Sequence, residues 1–251
     1  MGGTSTLLSL RRPRPGGLAG QGLEFAALGA VLAAYYSSSA SWWTASTWWD
    51  VAFLAFLLVP AVFGLVFLAL PLWRARGLLP VGLALVVLAV VLQLAGLDAL
   101  SGFAKLAAVT LLAFWFLGYF ESASWVVVVA LIIPWVDAYS VWKGPTRNIV
   151  AHQHHLFTTL SFAFPVPGEH GSANLGLPDL LFFGVFLAAT ARFRLRQKLT
   201  WLCMTLSFGA TMALAVYFDV SGLPALPLLS LGFLAPNADL LWRKIQLSRK
   251  G

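Results

Sequence analysis

The chain has few charged residues and a single cysteine. Only 10% of its 251 residues are charged, whereas a soluble domain carries about 25%. Hydrophobic residues make up 60% of the chain, and the mean hydropathy is +0.85, so the low charge indicates a membrane protein. With Cys203 alone, an intramolecular disulfide is excluded and a thiolate-bound metal is disfavoured.

Long apolar runs predict the architecture. A membrane-spanning helix needs about 20 mainly apolar residues, and eight runs of that kind occur at 20–37, 51–72, 78–97, 102–120, 124–142, 175–191, 199–218 and 222–241. The runs show no alternation of apolar and polar residues, which favours helices over a barrel. We therefore expect residues 1–251 to form one all-α polytopic membrane domain of about eight transmembrane helices. N-terminal helices would occupy 20–120, and a region with distinctive motifs would occupy 124–241.

The basic residues predict the orientation of these helices. Eight crossings place the two termini and the turns at 73–77 and 192–198 on one side of the membrane. Of the 16 Lys and Arg, all lie on that side except Lys105, Lys143 and Arg147. Because cytoplasmic loops carry the basic excess, we expect cytoplasmic termini and an extracytoplasmic loop at 143–174. The basic residues behind the net charge of +7 lie in short connections between apolar runs. We therefore expect the lipid bilayer as the partner and no nucleic acid.

Two acidic residues lie within apolar runs. Asp137 is in the fifth and Asp179 in the sixth, where a carboxylate costs on the order of 3 kcal/mol or more at the bilayer centre. Glu24 lies in the first turn of the first run. The other acidic residues lie in loops or near run ends and are expected to be solvated or interfacial: Asp50, Asp98, Glu121, Glu169, Asp219 and Asp239.

The two intramembrane aspartates are predicted to meet. Asp137 precedes Lys143 by six residues and Asp179 follows Asn174 by five, which places both roughly 8–9 Å inside the same face. Consecutive helices are usually neighbours. Two like charges in contact cannot both ionise, so the pair would share a proton and could activate water and protonate a leaving amine. Proton-coupled transport could use the same pair, and each carboxyl could instead simply bond to backbone or a neighbouring helix.

The start of the eighth run is irregular in sequence. Pro224 and Pro227 both lack an N–H, and broken backbone at membrane depth is tolerated only when it is buried or lines a wet cavity. We expect this segment to lie near the level of the aspartates, where its free backbone groups could pair with an extended peptide. The alternative is an ordinary helix start with proline at favoured early positions.

Three motifs in this order resemble the GxGD-type intramembrane aspartyl proteases, the presenilin and signal peptide peptidase superfamily. They are "WVDAYSVWKGPTR" (135–147), "LGLPDLLFFGVFLAATARF" (175–193) and "LPALP" (223–227). The resemblance covers roughly residues 124–241. It implies peptide-bond hydrolysis in single-span membrane substrates after local unwinding of their helix, without a cofactor. It also implies a catalytic pair, Asp137 and Asp179, and substrate-binding residues Gly176, Leu177, Pro224, Ala225 and Leu226.

The chain departs from the family pattern at two residues and in its helix count. Val136 replaces a tyrosine, and Pro178 replaces a glycine before Asp179. Proline there either fits an early helical turn or displaces the carboxyl. Eight spans are expected against the family's usual nine. An inactive relative that binds transmembrane helices is therefore an alternative, as is a proton-coupled transporter, although no inverted repeat is evident.

A histidine cluster lies in the 143–174 loop. Its members are His152, His154 and His155, and no cysteine or evident fourth ligand accompanies them. We therefore expect no metal site there.

Overall fold

The structure is a computed structural model that describes residues 15–143, 160–220 and 222–248. It is mostly helical, as expected. The helices are α1 Pro15–Ser38, α2 Thr47–Arg74, α3 Leu78–Leu94, α4 Asp98–Phe116, α5 Ala123–Lys143, α6 Leu177–Arg192, α7 Gln197–Tyr217, α8 Leu226–Leu234 and α9 Ala238–Ser248. A π-helical stretch, Leu54–Leu58, lies within α2. Each apolar run is helical over most of its length.

Four helical segments in the described ranges are long and apolar enough to cross a membrane. They are Thr47–Arg74, Asp98–Tyr119, Ala123–Val141 and Gln197–Tyr217. Helix α3 is apolar but shorter. These helices support a multi-pass helical membrane protein, and the number of crossings stays a prediction.

Helix α6 forms the centre of the molecule. Its residues from Val185 to Ala189 are fully buried. The Phe183 ring lies 4.1 Å from the ring of Phe63 on α2, and the rings of Phe186 and Phe233 on α8 are stacked 4.8 Å apart. A side chain at the start of α6 therefore belongs to a helix that is firmly packed in the core.

Helix α5 is the least buried of the four segments that are long and apolar enough to cross a membrane. It contacts α8 and α9 and touches α6 only lightly. Most of its large side chains are exposed, including Trp125, Trp135 and Tyr139. In a membrane these side chains would face lipid or a neighbouring segment, so α5 is held in place chiefly by α8.

Helix α8 is held by contacts at its C-terminal end and just beyond it. A Cβ added to Gly232 would lie 2.9 Å from the backbone of Met204, so α8 and α7 approach closely. Beyond α8, the side chain of Asn237 is fully buried and accepts a hydrogen bond of 3.0 Å from the Arg196 N–H. Arg196 also pairs with Asp239 at 2.7 Å. The C-terminal end of α8 is therefore anchored by these contacts.

A β-hairpin precedes α6, and the sequence analysis did not predict it. Strands β1 Ser161–Pro165 and β2 Ser172–Gly176 pair antiparallel, with Phe162 opposite Leu175. Phe162 and Phe164 are buried. The predicted all-α class and the predicted run start at 175 are therefore wrong in this region, because residues 175 and 176 belong to β2 and the helix begins at Leu177.

Asp50 is a second correction. It lies in the first turn of α2 as expected of a run end, but it is buried rather than solvated, with 7% of its surface exposed. Its carboxylate interacts electrostatically with Tyr35 of α1. Among the described residues, no hydrogen-bond partner reaches its Oδ1 atom. The sequence places this residue correctly along the chain but cannot show that it is buried near Tyr35.

Candidate active site

Asp137 lies near the end of α5, where the helix meets the start of α8. Pro134, almost one turn earlier, removes the N–H that would otherwise bond to the carbonyl of Ala130. The Asp137 side chain is half-buried. The Leu226 N–H donates to its Oδ2 atom over 3.0 Å, and the Ala225 N–H donates to the same carboxylate. These amides belong to a helix N-terminus, which favours an ionised carboxylate.

Asp179 lies in the first turn of α6. Gly176 precedes the helix as its N-cap, and the Asp179 carboxylate reaches back to accept the Gly176 N–H. A Cβ added to Gly176 would lie 3.2 Å from Asp179 Oδ2, closer than an ordinary contact. The missing side chain at Gly176 therefore leaves the room that this carboxylate occupies. A carboxylate at this position also caps the helix, which is its purely structural contribution.

The structure brings Asp137 and Asp179 together. The two carboxyls interact electrostatically, although they come from different helices, and both are half-buried. Asp179 lies in the first turn of its helix rather than deeper inside it, because β2 occupies the preceding residues. Two carboxyls that interact in this way disfavour simultaneous ionisation, and a water molecule held by both would be a nucleophile with a base and an acid at hand.

Some of the remaining predicted site residues contact the aspartates and others do not. Ala225 and Leu226 are buried and contribute the amides that bind Asp137. The Leu177 N–H instead donates to the carbonyl of Leu160 over 3.1 Å, which extends the hairpin ladder. Pro224 is half-buried in the irregular segment 222–225. Pro227 lies in the first turn of α8. Pro224 thus fits the prediction of an irregular segment, and Pro227 fits the alternative of an ordinary helix start with an early proline.

Pro178 occupies the second position of α6, where a helix has no use for the missing N–H. We expect Pro178→Ala to change the peptide-bond hydrolysis that the sequence resemblance implies by less than about threefold, and stability by less than about 1 kcal/mol. Initial cleavage rates and thermal unfolding in detergent would measure both. Pro80→Ala, in the first turn of α3 away from the site, is the matched control. A loss above tenfold, specific to Pro178→Ala, would show that the ring itself positions the carboxyl.

Strand β2 presents backbone groups that do not pair with β1, a feature that was not predicted from the sequence. The Leu177 N–H to Leu160 carbonyl bond and the Val166 N–H to Gly171 carbonyl bond mark hydrogen-bonded pairs of the ladder. Such pairs alternate in an antiparallel sheet, so the backbone groups of Ser172, Asn174 and Gly176 point away from β1. Ser172 and Asn174 are exposed. The Gly176 N–H already bonds to Asp179, and the Asn174 amide lies 3.3 Å from the Ser172 carbonyl.

The edge of β2 thus leads directly to the aspartate pair. Its last residue, Gly176, is also the N-cap of the helix that carries Asp179. Alternating aromatic residues in "SFAFP" and the Pro-Gly turn that follows were the signal that could have predicted the hairpin.

No group of three or more metal-binding side chains occurs in the ranges 15–143, 160–220 and 222–248. The histidine cluster at His152, His154 and His155 lies outside the described residues. The chain matches no known protein-family model, and no curated protein is significantly similar to it. The assignment of a function therefore depends on the residues of the site.

Proposed function

We propose that this protein is an intramembrane aspartyl protease that hydrolyses peptide bonds in single-span membrane segments. The proposal rests on one observation. Two carboxyls from separate helices, Asp137 and Asp179, interact at the point where the start of α8 donates its amides to one of them. The resemblance of the three motifs to the presenilin and signal peptide peptidase superfamily supports the same function.

The hydrogen bonds suggest different roles for the two aspartates. Asp137 accepts two backbone N–H groups from the start of α8, whereas Asp179 accepts one and is packed on the central helix. Hydrogen bonds to a carboxylate favour its ionised form. Asp137 therefore acts as the base that takes a proton from the attacking water, and Asp179 carries the shared proton.

The reaction needs no further group. As water adds to the peptide carbonyl, Asp137 accepts a proton and Asp179 protonates the carbonyl oxygen. Collapse of the tetrahedral intermediate breaks the C–N bond: the amine leaves with the proton from Asp137, and a hydroxyl proton returns to Asp179. Both carboxyls thus regain their starting states. The buried amides of Ala225 and Leu226 keep Asp137 oriented throughout.

A substrate would reach this pair as an extended strand. In a helix, each peptide carbonyl is hydrogen-bonded and shielded by side chains, so local unwinding must come before attack. The outward backbone groups of β2 can bind an unwound segment by adding a strand to the hairpin. The added strand would displace the weak contact between the Asn174 amide and the Ser172 carbonyl. Because β2 ends at Gly176, such a strand would run toward Asp179.

The orientation of the chain belongs to the same proposal. The basic residues favour cytoplasmic termini and an extracytoplasmic 143–174 segment. The site would then lie toward the outer leaflet, at the ends of α5 and α6.

Purified protein in detergent, mixed with a tagged single-span peptide, tests the function. The expected result is two fragments cut within the span, with no cleavage in the presence of a transition-state mimic of the peptide bond. Binding without cleavage would contradict proteolysis and favour a helix-binding relative. Proton flux coupled to solute uptake in liposomes, without cleavage, would favour a transporter.

A further inference from the structure

The C-terminal end of α1 is hydrogen-bonded to β1 through two adjacent tyrosines. The Tyr35 hydroxyl donates to the Pro165 carbonyl over 2.7 Å, and the Tyr36 hydroxyl donates to the Ala163 carbonyl over 2.9 Å. Both bonds join residues more than a hundred positions apart along the chain. Neither tyrosine belongs to the motifs that carry the proposed function.

The two carbonyls are those that β1 presents away from β2. In the ladder, residues 162 and 164 bond to β2, so the backbone groups of Ala163 and Pro165 point outward. Pro165 has no N–H of its own. The tyrosine hydroxyls therefore use the acceptors of the outer edge of β1, and a peptide cannot bind there without displacing α1.

The turn of the hairpin is fastened to the same part of the chain. The Gly168 N–H donates to the Ser39 carbonyl over 2.8 Å. Gly168 has a φ of +72°, and a Cβ there would lie 2.7 Å from backbone atoms of Trp43 and Thr44. Three contact points, at Ala163, Pro165 and Gly168, thus hold the hairpin against the end of α1 and the segment that follows it.

We propose that Tyr35 and Tyr36 are positioning residues of the active site. They fix the hairpin so that β2 is its single free edge within the described residues, and so that Gly176 and Asp179 keep their places relative to Asp137. A peptide then binds on one side only, the side that leads to the aspartates. The effect on cleavage rests on the proposed function, whereas the fastening of the hairpin does not.

Amide hydrogen exchange of the purified full chain in detergent tests the fastening without a substrate. The double variant Tyr35→Phe/Tyr36→Phe keeps both rings, and Tyr217→Phe, an exposed tyrosine of α7, is the matched control. We expect exchange in 161–179 to rise about fivefold for each lost hydrogen bond, which corresponds to on the order of 1 kcal/mol. The control should leave exchange unchanged.

Gly168→Ala detaches the hairpin from its other end and should produce the same local pattern. It provides a second variant if the double tyrosine variant fails to fold. Unchanged exchange in both variants would overturn the proposal. A uniform rise in every helix would overturn it too, because the tyrosines would then stabilise the whole fold rather than the hairpin.

Cleavage kinetics test the positioning. We expect the double variant to raise KM at least fivefold, because the strand subsite is no longer held, whereas a loss of folded protein would lower kcat and leave KM unchanged. Faster hairpin exchange with unchanged KM would refute the positioning role. If the unmodified protein binds a single-span peptide without cutting it, proteolysis fails as the function, and the Kd of that peptide replaces KM in the same comparison. If it neither cuts nor binds the peptide, positioning of an active site is refuted together with the proposed function, and exchange reports the fastening alone.

Discussion

Replacing either aspartate by asparagine is expected to lower peptide-bond hydrolysis at least about 10³-fold, because each removes one proton-transfer partner of the pair. Asp137→Asn keeps an oxygen that can accept the Leu226 N–H. Asp179→Asn can likewise still accept the Gly176 N–H. Both also remove one of two interacting carboxyls, so thermal unfolding in detergent should occur at the same temperature or higher. Cleavage of a tagged single-span peptide gives the rates.

The two single variants should lose as much activity as the double variant, because residues that act as a unit are not additive. Asp219→Asn is the matched control. It makes the same chemical change at the end of α7, at a residue whose φ of +50° asparagine also tolerates. Cleavage within tenfold of the unmodified rate in Asp137→Asn or Asp179→Asn would remove the dyad from the mechanism.

The helices could be predicted from the sequence because each apolar run has to satisfy its own backbone hydrogen bonds. Runs such as 102–120 and 199–218 match α4 and α7 to within a few residues. Their succession along the chain also predicted that α5 and α6 are neighbours, and the two helices are in light contact. These features are local in the chain, so they could be identified without knowledge of tertiary packing.

The hairpin could not be predicted with the same rules. Its ten strand residues include two serines, an asparagine and a proline, and its stability comes from Phe162 and Phe164, which are buried against helices far away in sequence. The hydrogen bonds from Tyr35 and Tyr36 are equally distant in sequence. Asp50 illustrates the same limit, since its position at a helix start favours solvent, whereas its burial depends on tertiary packing.

The aspartate pair could be predicted from the sequence only in part. Helix rise and loop positions alone predict that Asp137 and Asp179 lie at the same face. The amides that bind Asp137 depend on how Ala225 and Leu226 turn into α8, and neither proline next to them fixes that turn alone. A sequence can thus predict which charged groups meet, whereas the backbone groups that orient them require the structure.

Substitution of Gly176 is expected to have the second large effect on cleavage. Its φ of −60° and ψ of 142° suit any residue, so Gly176→Ala should not strain the backbone. The added Cβ would lie 3.2 Å from Asp179 Oδ2 and must push that carboxylate by a few tenths of an ångström. Displacements on the order of 1 Å at a reacting group can cost about 100-fold. We therefore expect a loss of about 10- to 100-fold in cleavage and a larger loss for Gly176→Val.

Thermal unfolding should change little in Gly176→Ala, and this separates an effect on the site from an effect on the fold. Gly171→Ala is the matched control in the same hairpin, because its added Cβ would meet Glu169 only at 3.8 Å. That variant should cleave at the unmodified rate. Full activity in Gly176→Ala would mean that the Asp179 carboxylate moves away from Gly176 before it reacts. The hydrogen bond from the Gly176 N–H would then hold the resting carboxyl and not the catalytic one.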